Sequence, residues 1–141
     1  MDLGGDMKRW GDKVLTEVTI FHAETADRFF SGTIRDTPVD TGLLKGNWVP
    51  SRGKLPKFKA LKGFDKTGSR RLARVQNVIV SMFGSEANKR KSQSLYLTNS
   101  LHYAIRAESR GWGDLGGPGP YGMVRGNFHK TKNMIRARRL G

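Results

Sequence analysis

Between Lys13 and Arg35, apolar side chains fall at Val14, Leu15, Val18, Phe21, Ala26, Phe29, Phe30 and Ile34. That spacing is close to the helical period, and Glu17, Glu24, Asp27, Arg28 and Arg35 take much of the opposite face. The pattern predicts a long helix that ends near Asp36, because Pro38 disfavours helical geometry at Thr37. Residues 1–12 are expected to form a flexible lead-in. After the helix, Asp36 to Trp48 begins with a dense turn signal of Pro, Asp, Thr and Gly, and Trp48 and Val49 are expected to open a strand. Residues 50–66 show no sustained period and read as a long mobile basic loop.

Thr67 or Ser69 can cap a second helix whose apolar positions are Leu72, Val75, Ile79, Met82 and Phe83, with Gly84 at its end. The run Val78-Ile79-Val80 suits a strand equally. Leu95-Tyr96-Leu97 reads as a strand, and His102 to Glu108 as a short helix. The glycines and prolines of residues 111–120 predict a flexible loop carrying Trp112. Met123, Val124, Phe128, Met134 and Ile135 fit a terminal helix with a basic outer face. The fold class expected is α+β in a single domain spanning 1–141. In it, a long N-terminal helix and further helices pack on a small, mainly antiparallel sheet, with long flexible loops.

Charge changes the picture. The 141 residues hold 26 Lys and Arg against 12 Asp and Glu, a net +14. It is unevenly spread: residues 1–44 carry 5 − 8 = −3 and residues 45–74 carry 10 − 1 = +9, while 125–141 hold six basic side chains and no acid. Such segments attract polyanions, DNA included, or dock on an acidic protein surface. No cysteine is present, which removes disulfides and thiolate metal sites. There is no run of roughly 20 apolar residues and no basic-then-apolar leader, so a soluble protein made without export is expected.

Candidate chemistry is sparse. His22, His102 and His129 lie far apart in sequence, outside any ligand pattern. Asp36 and Asp40 are separated by a helix-breaking proline and suit turns and caps better than paired acid–base work. No Gly-x-Ser-x-Gly elbow is present, and the glycines at 116–119 lack the Lys-Ser/Thr that a phosphate loop needs. No catalytic, cofactor or metal residue is assigned.

Two segments carry a resemblance. Thr37-Pro38-Val39-Asp40-Thr41-Gly42-Leu43-Leu44-Lys45-Gly46-Asn47-Trp48 resembles the TPVDTG-x-L-x-x-(S/N)W segment of the tail-completion (neck, head–tail joining) proteins of long-tailed phages, a family related to the phage lambda tail protein Z. Asn99, Tyr103-Ala104 and Glu108, followed by Pro120-Tyr121-Gly122-Met123-Val124, resemble that family's second block in the same order. The departures are the basic segment 50–66, the residue pair Ser109-Arg110 before Gly111, and the Gly/Pro loop.

The resemblance implies a non-enzymatic virion protein, a ring-forming homo-oligomer assembled in the host cytoplasm that couples the tail to the head connector. Its structural motif residues would be Thr37, Pro38, Asp40, Thr41, Gly42, Trp48, Asn99, Tyr103 and Glu108. Its implied partners are copies of itself and the head–tail connector, tail terminator or tail tube proteins, with non-specific contact to genomic DNA in the lumen and no membrane. Lys54, Lys57, Lys59, Lys62, Trp112, Arg136, Arg138 and Arg139 are the candidate inter-subunit or DNA-facing residues. Removing residues 52–64 is expected to spare folding while blocking head–tail joining. The alternative, from charge alone, is a stand-alone basic nucleic-acid-binding protein.

Overall fold

The computed structural model describes residues 2–39, 41–57, 63–84, 93–110 and 122–139, without the side chains of Arg110 and Arg139. The elements are α1 (Leu3–Arg35), α2 (Leu43–Gly46), β1 (Trp48–Arg52), α3 (Ser69–Phe83), β2 (Leu95–Asn99), α4 (Ala104–Arg110) and α5 (Met123–Arg139). This is an α+β fold in which α1 packs against α3 and α5, and α3 covers β1. The strands pair antiparallel, with Trp48 opposite Asn99 and Arg52 opposite Leu95. Pro50 is tolerated in β1 because a two-stranded sheet has free edges that need no amide donor.

Residues 3–12 are helical, not a flexible lead-in. The Asp2 side chain accepts a hydrogen bond from the Gly5 amide at 3.1 Å, capping the helix, and Asp6 lies in its first turn beside the positive end of the dipole. Gly4, Gly5 and Gly11, each costing about 1 kcal/mol against alanine in a helix, hide that signal in the sequence.

Residues 50–66 are not one long loop. Pro50, Ser51 and Arg52 belong to β1. The Gly53 amide donates to Ser94 O at 2.8 Å, and the Asp65 amide to Gly42 O at 3.0 Å. A deletion of 52–64 would therefore cut into the sheet and the support beneath α2, so folding would not be spared. Residues 58–62 lie outside the described residues, as does the whole expected loop 111–120.

The ambiguous run at 78–80 is helical. Val75, Ile79 and Met82 are buried on one face of α3 while Val80 points outward. Of the two expected caps, Thr67 takes part, its Oγ1 accepting from the Ser69 amide at 3.2 Å, while Ser69 is the first helical residue. The Asp65 carboxylate completes the cap from outside, accepting from the Gly68 and Arg70 amides at 2.8 and 3.2 Å. The core is Phe30 and Ile34 of α1, Leu44, Trp48, Val75, Ile79, Leu101, Ala104 and Ala107, and Met123 of α5. Only the C-terminal part of α1 reaches it.

Candidate functional site

The segment that follows α1 is held by side chains rather than by regular structure. The Thr37 hydroxyl donates to Thr33 O at 2.6 Å and accepts from the Trp48 indole Nε1–H at 2.8 Å, with both residues buried. Gly42 turns the chain at φ +88, a backbone shape that side chains rarely adopt, and starts α2. Thr41 Oγ1 accepts from the Leu43 amide at 3.3 Å. Asn99, from β2, donates to Leu44 O at 2.9 Å and accepts from the Leu101 amide at 3.2 Å. Arg71, from α3, donates to Gly46 O at 2.7 Å. With Asn47 Nδ2 donating to Leu43 O at 2.8 Å, the α2 carbonyls are satisfied from three directions, which fixes where Trp48 enters the core.

Glu108 plays the same part at the other end. Its carboxylate accepts from the Val124 and Arg125 amides at 2.9 Å each, capping α5 from α4 across sixteen and seventeen residues of chain. Tyr103 is half-buried, its carbonyl accepting from the Ala107 amide at 2.9 Å and its ring edge-on to His102. Pro38 is half-buried after the helix end, and Asp40 lies outside the described residues.

Charges cluster around this scaffold. Burial works to raise the Asp36 carboxyl. It is outweighed by hydrogen bonds from Lys130 and Asn127 and by the positive charges of Lys130 and Lys45, so Asp36 stays below the usual carboxylate range. Burial pushes the Lys45 ammonium down, against the pull of Asp36 and Asp65, and its Nζ donates to Arg35 O at 3.0 Å. Asp65 is also raised by burial, but the Gly68 amide, the Thr67 hydroxyl, and the Arg70 amide and charge bring it below its ordinary value. Burial, then the neighbouring Arg74 charge, lowers Arg71.

The expected outward-facing cations divide. Lys54, Lys57 and Arg136 are exposed. Arg138 instead pairs with Glu24 and lies over the Phe21 ring, 5.5 Å from its centroid, so it ties α5 to α1. Lys59, Lys62, Trp112 and the Arg139 side chain lie outside the description.

The described residues also show a basic cleft that was not singled out in the sequence. An open hollow of about 380 Å³ between β1 and α3 is lined by Arg52, Arg70 and Arg74 over Ala73 and Val78, with no acidic side chain in its lining. Arg52 reaches across it to donate to Ser81 O at 2.8 Å. The sequence signal was present in the i, i+4 pair Arg70 and Arg74 within the +9 segment, but their meeting with Arg52 depends on the fold.

Among the described residues no three His, Asp or Glu side chains gather as a metal site, and no helix is long and apolar enough to cross a membrane. The chain matches no protein-family model, no curated protein and no solved structure.

Proposed function

We propose that this chain is a structural virion protein of a tailed bacteriophage, a tail-completion or neck subunit that assembles with copies of itself and joins the tail to the head connector. The observation that carries this reading is the use made of the motif residues. Thr37, Gly42, Trp48, Asn99 and Glu108, the positions that resemble the tail-completion family, spend their turn geometry or polar atoms on joining the end of α1 to β1, α2 to β2 and α4 to α5. That is the work of a scaffold. Exposed Lys54 and Lys57 leave the edge of this scaffold for neighbouring subunits, the adjoining ring or DNA in the lumen. Changing Lys54, Lys57, Lys59 and Lys62 together to Glu tests the role without cutting the sheet. The expected result is a folded protein and particles that fail to join heads to tails; normal virions would overturn it.

A second reading, a stand-alone nucleic-acid-binding protein, is favoured by the arginine cleft, because guanidinium groups suit phosphate. The isolated chain would then bind duplex DNA with a steep salt dependence that Arg70→Ser and Arg74→Ser flatten. Absence of such binding leaves the assembly reading alone.

A further inference from the structure

Among the described residues, one face of α1 is covered along only half its length. From Phe21 to Asp36 that face is closed by α5, which runs antiparallel to α1. Arg138 lies over Phe21, Phe128 packs edge-on against Phe29, and Lys130 pairs with Asp36. Gly32 lets Asn127 approach so closely that a Cβ there would sit 2.1 Å from its Oδ1. Phe21 and Gly32 follow Leu3 and Val14 by 18 residues (21 − 3 and 32 − 14), five turns at ~3.6 residues per turn, so all four point the same way. Beyond the end of α5 the face continues as Leu3, Met7, Trp10 and Val14, which are 64, 68, 70 and 37 % exposed.

The spacing 3, 7, 10, 14 alternates four and three, the narrow seam of a coiled coil rather than the broad stripe of a core helix. Charge then selects the partner. Asp6 and Lys13 are seven residues apart and flank the seam on the same side. In an antiparallel pair of two copies, Leu3 meets Val14 of the second copy and Met7 meets its Trp10. Asp6 then faces Lys13 and Lys13 faces Asp6, a closed two-fold arrangement. A parallel pair would set Asp6 against Gly11 and Lys13 against Val18, with no opposite charges. The partner Asp6 already has, Arg9, is an exposed ion pair of the kind that costs little to exchange.

We propose that the N-terminal arms of two copies of this chain pair antiparallel through Leu3, Met7, Trp10 and Val14, with reciprocal Asp6–Lys13 ion pairs. The pairing is a property of the free chain and does not depend on the virion reading. Trp10 offers on the order of 150 Å² and the seam has four layers, so the contact belongs to the weak class below ~1,200 Å².

Sedimentation velocity on the whole chain at protein concentrations up to a few hundred micromolar should show a monomer–dimer equilibrium. Asp6→Lys alone and Lys13→Asp alone should each weaken it about tenfold or more. An equal mixture of the two should restore it, because only the mixed pair regains opposite charges. The cysteine-free chain allows a second readout. Leu3→Cys mixed with Val14→Cys should give a disulfide heterodimer under mild oxidation, with neither variant cross-linking alone. A chain that stays monomeric, single-charge variants that dimerise like the parent, or cross-linking of Leu3→Cys with itself would each overturn the pairing. Since the arm lies outside the core, unchanged circular dichroism keeps these results separate from unfolding.

Discussion

The indole Nε1–H of Trp48 donates to the Thr37 hydroxyl at 2.8 Å, joining the first residue of β1 to the turn that ends α1. Both partners are buried, so the bond is felt mainly when it is broken. Thr37→Val should cost about 1–3 kcal/mol, because it strands a buried donor. Trp48→Phe should cost a similar amount through lost bonding and volume. The double variant should cost less than the sum of the two, and urea unfolding of all three checks this. Strict additivity would contradict the coupling.

Gly42→Ala should destabilise by more than about 1–2 kcal/mol. The alanine must hold φ +88, and its methyl would stand 2.7 Å from the Lys66 backbone nitrogen, which cannot move aside as a flexible side chain could. A thermal midpoint equal to that of the parent would show that the turn is not fixed as described.

Glu108→Ala should lower stability by about 0.5–2 kcal/mol through loss of the α5 cap. Glu108→Gln keeps an acceptor oxygen and should recover part of that loss, leaving about 0.3–1 kcal/mol for the missing charge at the helix N-terminus. Amide exchange at Val124 and Arg125 should quicken in the alanine variant.

Acid should weaken the fold partly through Asp36 and Asp65. Both carboxyls are held below their ordinary value when folded. As pH falls, the unfolded chain therefore takes up protons first. The stabilisation is full above about pH 5, begins to drain near pH ~4 and is gone below the folded values. Asp36 is partly exposed, so its share is under about 1 kcal/mol. Asp36→Asn should make the acid limb of a stability-against-pH curve shallower, and an unchanged limb would rule out the contribution.

Elements with a long apolar period were legible in the sequence. The 13–35 part of α1, the α3 stripe at Val75, Ile79 and Met82 and α5 stand where periodicity placed them, and β2 stands where the short apolar run Leu95-Tyr96-Leu97 placed it. What periodicity could not carry was settled by single polar atoms. The four residues of α2 are too few for a pattern and follow a glycine. The α3 cap combines Thr67, one of the two expected residues, with Asp65, whose carboxylate two residues earlier reaches both the Gly68 and Arg70 amides. The motif residues could be picked out by resemblance, but the bonds from Trp48 to Thr37, Asn99 to Leu44 and the Val124 amide to Glu108 span elements and depend on tertiary structure. The arginine cleft is a product of β1 lying under α3.

The central claim is a place in a particle. Cryo-electron microscopy of the intact virion tests it most directly, by asking whether density at the head–tail junction accepts this fold in a ring of repeated copies. The account predicts a closed ring there, with the 50–66 segment at a contact between subunits, against an adjoining ring or facing the lumen. A particle containing no copy of the chain would contradict it and bring the nucleic-acid reading forward.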